Sequence, residues 1–233
     1  MGLTTTPTLQ GLRTRIFKSF QSALDATQVW SAPFFTNIDS TTNVNTYGWL
    51  GEIGDMREWI GPRAVEGLSE RSYQIYNKTY EKTVGVPREK IEDSDIADAG
   101  IIAAQMAERG AKLPDLLLRD LLQNGHLASA VAYDGQNFFD TDHPVVLGGG
   151  SGSQSNYFTG TALTPTNFRA VRAAMFNYRG EANRTIAPSG SLYLVVPPAL
   201  EGAGEDIVAT STLANGADNT NNGKAKLMVI PDL

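Results

Sequence analysis

The sequence predicts an α+β protein, and three observations carry that prediction. Apolar residues recur at three- and four-residue steps near the N-terminus and again around residues 94–123, which is helical spacing. Runs rich in Tyr, Val, Ile and Thr, separated by Gly61-Pro62 and Ser69-Glu70-Arg71, fill residues 47–86 and read as strands. Residues 192–196 read as a buried strand and 226–230 as a last strand, with a further helical segment between them.

At 233 residues the chain is long enough for one sizeable domain or two lobes sharing a spine. A hydrophobic content of 41% is too high for disorder, while Gly 23 with many Asn, Thr and Ser points to abundant loops. The absence of cysteine excludes disulfides, thiolate zinc sites and cysteine nucleophiles, and suits a reducing cytosol. Met1-Gly2-Leu3-Thr4 opens no signal sequence, and no apolar run reaches the roughly 18 residues of a membrane span, so a soluble, non-exported chain without a membrane partner is expected. The net charge is −6, with 11 acids against 7 bases in residues 51–100 and 6 against 6 in 151–233. That balance disfavours a surface that grips phosphates throughout, although local contact with DNA stays open.

Thr6-Pro7 starts an amphipathic helix over about 7–25, with Leu9, Leu12, Ile16, Phe17, Phe20 and Leu24 on one side. Residues 36–47 are Asn- and Thr-rich and read as loop. The ribbon over 47–86 has apolar residues on both faces, Tyr73 and Ile75 against Tyr76, Tyr80, Val84 and Val86, so it needs something to lie against. Asp93-Ser94-Asp95 caps the longest periodic segment, whose apolar positions include Ile101, Ile102, Met106, Leu116 and Leu117. Pro114 lacks the amide proton a helix interior requires, which predicts a kink near residues 110–113 or two abutting helices, ending at Asn124-Gly125 as a C-cap. Asp134-Gly135 predicts a two-residue type I′ hairpin over 130–139. Residues 148–155 read as a flexible Gly/Ser loop, Thr164-Pro165 caps a helix running to Gly180, and Pro197-Pro198 begins another to about residue 209.

The densest concentration of chemistry is 133–144, with two aromatic residues after the turn, three carboxylates and one of the two histidines. Asp140, Asp142 and His143 are the best metal candidates, and a metal-dependent hydrolase is the enzyme reading they would support. Neighbouring positions on an extended strand point to opposite faces, however, so Asp142 and His143 would tend to diverge, and no second histidine stands at helical ligand spacing from His143. Turn chemistry, with Asp and Asn side chains bonding backbone amides, explains the same residues. No G-x-S-x-G surrounds a serine, the glycines at 148–152 lack the Lys-Ser/Thr of a phosphate loop, and His126 after Gly125 has a solvent-facing or dipole-capping role as its default. Nothing in the chain amounts to an active site, so no enzyme activity, metal or cofactor is expected.

The stretch Tyr133-Asp134-Gly135-Gln136-x-Phe138-Phe139-Asp140-Thr141-Asp142-His143-Pro144 resembles the signature of the Mu-like (pro)phage major head subunit family. Further segments agree in order: Asn45-Thr46-Tyr47-x-Trp49-Leu50-Gly51, Arg57-Glu58-Trp59-x-Gly61-x-Arg63, Val84-x-Val86-Pro87-Arg88, Pro114-Asp115 and Leu194-Val195-Val196-Pro197-Pro198. The resemblance covers roughly residues 8–230 and implies the Hong Kong 97-like tailed-phage major capsid fold. It implies an N-terminal arm over 1–44, an extended β-ribbon (the E-loop) with peripheral-domain strands over 45–90, a spine helix over 91–124 and an axial domain over 125–233. Family members continue past the strand at 226–230 to return to the peripheral domain, so the resemblance implies that this return is missing or short here.

The function so implied is that of a major capsid protein, self-assembling as hexamers and pentamers into an icosahedral shell around double-stranded DNA. It would be assembled in the bacterial host cytoplasm, with scaffold, portal and decoration proteins as further partners. An encapsulin-like cellular nanocompartment of the same fold is the alternative. In that frame Trp49, Trp59, Tyr73 and Tyr76 are candidate interface anchors and Arg57, Glu58 and Arg63 their polar partners, because aromatics and Arg dominate interface energies. Arg13, Arg15 and Lys18 are candidates to face DNA. Tyr133, Asp134, Gly135, Phe138, Phe139, Asp140, Asp142, His143 and Pro144 form a structural corner between spine helix and axial domain.

Overall fold

The computed structural model describes residues 6–50, 70–85, 96–145, 152–180, 184–213, 215–231 and 233. Arg57, Glu58, Trp59 and Arg63 lie outside these residues. The chain divides into two compact units, one built from residues 1–45 and 76–120, the other from 46–75 and 121–233.

In the first unit, α1 (Thr6–Ala26) packs on α2 (Ile96–Ala111). The buried stripe of α2 is Ala99, Ala103 and Ala107, spaced four apart, while Ile101 is 56% exposed. The fully buried positions of this contact are therefore alanines, while of the large apolar residues picked out by periodicity Ile102 and Met106 are half-buried and Ile101 is exposed. Alanines let two helix backbones approach closely, and each loses little side-chain entropy on burial. On α1, Ile16 and Phe20 are half-buried whereas Phe17 is 66% exposed. After α1 the chain places Trp30 edge-on to Phe34, with ring centroids 6.2 Å apart, and Ala32–Phe34 forms a single 3₁₀ turn.

The long periodic segment is two abutting helices, α2 and α3 (Leu113–Asn124), as Pro114 requires. Pro114 occupies the first turn of α3, where its missing donor costs nothing, and the Leu116 amide still reaches the Lys112 carbonyl at 3.2 Å.

The ribbon is shorter and earlier than the sequence suggests. Strands β1 (Val44–Leu50) and β2 (Glu70–Tyr76) pair in a two-stranded sheet, so β1 starts inside the stretch read as loop. Residues 77–85 carry no strand, and Tyr80 and Val84 there are 51% and 40% exposed. The loop before β1 is tied to the end of β2 instead: the Asn77 amide donates to the Asn43 carbonyl at 2.9 Å, and its side chain donates to the Thr42 carbonyl at 2.6 Å.

The second unit contains a βαβ arrangement. Strands β5 (Tyr193–Val196) and β6 (Lys226–Val229) run parallel in the register Leu194↔Leu227 and Val196↔Val229. A parallel pair needs a crossover, and α5 (Glu201–Val208) supplies it. Val196, Ile207, Val208 and Ile230 are buried at 1–3% exposure and form the core between helix and strands. The polar loop behind α5 is held by Asn219, whose side-chain amide donates to the carbonyls of Asp206, Ile207 and Thr210 at 3.0, 3.1 and 2.8 Å. Those of Asp206 and Ile207 are among the carbonyls that a helix C-terminus leaves without partners.

Two further expectations change. The stretch read as a flexible Gly/Ser loop ends in β4 (Ser153–Gln154), antiparallel to β3 (His143–Pro144). Helix α4 (Pro165–Phe176) begins as expected, Thr164 Oγ1 accepting from the Asn167 amide at 3.2 Å, but it stops at Phe176 rather than at Gly180. Tyr178 and Gly180 instead bond the backbone of Ile186 and Arg184, forming a bridge between Arg179 and Thr185.

Candidate functional site

The hairpin over 130–139 forms with a different turn. The Ala132 amide donates to the Gln136 carbonyl at 2.7 Å and the Phe138 amide to the Ala130 carbonyl at 2.7 Å. Ala132 therefore faces Gln136, and Tyr133, Asp134 and Gly135 form a three-residue loop. The Gly135 amide closes a turn on the Ala132 carbonyl at 3.2 Å, and Gly135 is left-handed at φ 86°. A turn followed by a left-handed glycine is the usual build of a three-residue hairpin. This loop lets the Asp134 carboxylate bond in two directions, one oxygen accepting from the Gln136 amide at 3.1 Å and the other meeting His143 Nδ1 at 2.6 Å.

The corner is then locked from several sides. Asn156 accepts the Asp140 amide at 2.8 Å and donates to the Phe138 carbonyl at 2.8 Å, while its own amide donates to the Asp140 carbonyl at 3.0 Å. Asp140 accepts from the Thr141 amide at 2.7 Å. Phe138 and Phe139 meet edge to face at 5.0 Å. Phe139 closes over Gly125, where an added Cβ would stand 2.8 Å from its ring and closer still to the Leu121 carbonyl. Gly125 is not left-handed, so close approach rather than a C-cap conformation demands glycine there. His126 is not solvent-facing: it stacks on Tyr157 at 5.3 Å, and its carbonyl accepts from the Asn137 side chain at 3.1 Å.

Asp140, Asp142 and His143 do not converge. Asp142 is exposed, Asp140 caps its neighbour, and His143 turns to Asp134. Among the described residues no group of three or more His, Asp or Glu is placed to hold a metal ion. The Asp134 and His143 side chains are 4% and 15% exposed. The pair has the form that orients an imidazole for proton transfer, but His143 Nε2 is buried, and among the described residues no hydroxyl or other nucleophile is bonded to it. Across the same region the Tyr178 hydroxyl donates to the Ser155 carbonyl at 2.9 Å, and burial raises its pKa above the ordinary phenol value.

Of the interface candidates, Tyr73 on β2 is half-buried and its hydroxyl donates to the Val131 carbonyl at 3.3 Å, joining the ribbon to the hairpin. Tyr76 is 66% exposed, and Trp49 belongs to β1. Arg13, Arg15 and Lys18 are all exposed on α1 but do not share one face. Arg13 borders the flank of the α1 and α2 pair that carries Phe17 and Met106, and Arg15 and Lys18 border the flank that carries Gly100 and Ile101. Sequence reasoning missed Asp115, Asn156 and Asn219, whose partners lie 12 to 84 residues away or in bonds that periodicity does not register. Only Asp115 left a signal, an acid in the first turn of a helix after proline.

The sequence model described as Mu-like prophage major head subunit gpT matches residues 9–165 and 153–233. The major capsid protein of Escherichia phage Mu is 36% identical over 143 residues, 61% of this chain and 46% of that protein, so the match spans about half the relative's length. Among solved structures, a chain of the bacteriophage JBD30 procapsid aligns with a TM-score of 0.74 at 30% identity, over 98% of this chain and 100% of that one. A chain of the JBD30 capsid decorated with minor capsid protein trimers aligns with a TM-score of 0.68 at 29% identity, over 90% of each chain. The architecture of paired helices, ribbon and βαβ unit is thus the Hong Kong 97-like capsid fold. With nearly its whole length matched, the chain belongs to the Mu-like prophage major head subunit gpT family.

Proposed function

We propose that this chain is the repeating subunit of the head of a Mu-like phage or prophage, a major capsid protein that self-assembles into a closed shell around double-stranded DNA. The observation that carries the proposal is the alignment over 98% of this chain with the JBD30 procapsid subunit. In this reading 1–44 act as the arm, 45–90 as the ribbon, 91–124 as the spine and 125–233 as the axial domain. The work is self-association: many identical modest contacts make a closed assembly stable by multivalency. The aromatic ribbon residues Trp49, Trp59, Tyr73 and Tyr76 serve as anchors, with Arg57, Glu58 and Arg63 beside them. The structural corner at 133–144 serves no chemistry of its own and sets where the ribbon meets the hairpin, through Tyr73 and Val131.

DNA is met through salt-sensitive contacts that do not read sequence, from Arg13 on one flank of α1 and Arg15 and Lys18 on the other. Assembly takes place in the bacterial host cytoplasm, with portal and scaffold proteins as partners. Decoration proteins belong to this reading too, since the JBD30 capsid carries minor capsid protein trimers. Electron microscopy of the expressed chain tests the proposal: closed shells are expected, and monomers that stay dispersed at high concentration reject it. Trp59→Ala is expected to keep the circular dichroism of the subunit while impairing shell formation; loss of the folded spectrum would instead place Trp59 in a subunit's own core.

A further inference from the structure

Two hairpins of the second unit share one set of backbone bonds. In the hairpin described above, the Ala132 amide bonds the Gln136 carbonyl, the Gly135 amide closes on Ala132 and the Phe138 amide reaches Ala130. In the other, the Leu213 amide donates to the Ala217 carbonyl, the Gly216 amide to the Leu213 carbonyl and the Asn219 amide to the Ser211 carbonyl, each at 2.8 Å. The bridges Val131↔Asn137 and Thr212↔Asp218 keep the same offset, and Gly135 and Gly216 are both left-handed, at φ 86° and 80°. Before each glycine stands a side-chain oxygen that accepts from the amide two residues on, Asp134 from Gln136 and Asn215 from Ala217, both at 3.1 Å. The loops differ at that residue. Asp134 also meets His143, whereas among the described residues the Asn215 side-chain nitrogen donates to nothing.

Asn215-Gly216 is one of three Asn-Gly pairs, with Asn124-Gly125 and Asn222-Gly223. In such a pair the backbone nitrogen of glycine can approach the asparagine Cγ, since no Cβ stands in the way. The fold treats the three differently. Gly125 is buried under the Phe139 ring, and its amide bonds the Leu121 carbonyl at 2.8 Å. Asn222 commits its side-chain nitrogen to the Ala209 carbonyl at 2.7 Å, and the Gly223 amide bonds the Val208 carbonyl at 2.9 Å, both at the C-terminal end of α5. Asn215 and Gly216 are exposed, and nothing lies within 4 Å of where a Cβ on Gly216 would stand. The Ala217 amide polarises the Asn215 side-chain carbonyl, which makes Cγ the better electrophile. The Gly216 amide gives up only a turn bond at a hairpin tip, and local opening is least costly where few packed contacts are lost.

We propose that Asn215 is a self-modification site, converting without an enzyme to an acid that its loop already accommodates. The Gly216 nitrogen attacks Asn215 Cγ, its proton passes through solvent to the side-chain nitrogen, and that nitrogen leaves as ammonia from a closed succinimide ring. Water then adds to either ring carbonyl and opens it to aspartate or isoaspartate, so one water is consumed and one ammonia released. The aspartate product keeps the hairpin, because Asp134 makes the same bond in the same setting. It also adds a fifth negative charge to residues 201–223, which hold Glu201, Glu205, Asp206 and Asp218 and no Lys or Arg. The charge of this hairpin tip thus records the age of the molecule.

The test holds the full chain in mildly alkaline buffer, native and in urea, and follows all three Asn-Gly pairs by peptide mass spectrometry through the mass gain of amide-to-acid exchange. In the native chain Asn215 is expected to convert about tenfold faster than Asn124 or Asn222, because protected sites react only through costlier local opening. In urea the three rates are expected to converge. Equal native rates, or a faster Asn124 or Asn222, overturn the inference. The same ranking persisting in urea overturns it too, since local sequence rather than the fold would then be the cause. Asn215→Asp is expected to keep the parental urea midpoint and slope, and a clear fall in the midpoint overturns the claim that the loop accommodates the product.

Discussion

One carboxylate oxygen of Asp115 accepts two hydrogen bonds from Ser31, from its amide at 3.0 Å and from its hydroxyl at 2.5 Å, across 84 residues of sequence. Both residues are buried, at 7% and 0% exposure. Asp115 stands in the first turn of α3, where the helix dipole favours an acid, so one side chain serves the helix start and pins the segment that follows α1.

Asp115→Ala leaves a buried amide and hydroxyl without an acceptor. It is expected to destabilise the chain by about 2–3 kcal/mol, since each orphaned buried group costs about 1–3 kcal/mol. A fall in the urea midpoint without a change of slope is the checking measurement. Asp115→Asn, which keeps one acceptor oxygen, is expected to cost less.

Gly125 and Gly204 form a matched pair. An added Cβ at Gly125 meets the Phe139 ring at 2.8 Å and the Leu121 carbonyl more closely still, and backbone cannot move aside. At Gly204 the nearest atom, at 2.6 Å, is the methyl end of Leu227, which can change rotamer. Gly125→Ala is expected to cost about 3 kcal/mol, the upper part of the overpacking range, and Gly204→Ala about 1 kcal/mol. Thermal melts of the two variants side by side decide it, and equal losses would refute the distinction.

Asn219→Asp replaces a donor to three carbonyls by a carboxylate that can only accept and that carries negative charge to the C-terminal end of α5. Loss of about 3 kcal/mol is expected from the missing bonds to one buried and two part-buried carbonyls, with the charge at the wrong end of the dipole adding to it. Asn219→Ala is expected to fall between the parent and the Asp variant in chemical denaturation.

Tyr178 predicts an alkaline limit. Burial raises its pKa in the fold above the ordinary 10.0, so the folded chain holds a proton that the unfolded chain releases. The contribution to stability is full below the unfolded value and is lost as pH rises through the folded one. Stability is expected to decline above about pH 10, and Tyr178→Phe to flatten that decline while costing about 1 kcal/mol at neutral pH through the lost bond to Ser155. Denaturation at several alkaline pH values for both proteins reads the difference.

The sequence by itself determined the helices, because a period of 3.6 residues, Thr164-Pro165 at a start and Pro114 at a break are local signals whose cause lies within one turn. It also determined the family, through motifs in order along most of the chain. It could not decide that Ala99, Ala103 and Ala107 are buried while Ile101 is exposed, since that depends on how closely α1 approaches. Nor could it decide the parallel pairing of β5 with β6, the three-residue turn that turns Asp134 toward His143, or the bond from Asp115 to Ser31. Each of those joins residues distant in sequence or competing for one backbone geometry, and only packing in three dimensions selects among the partners that local propensity leaves equal.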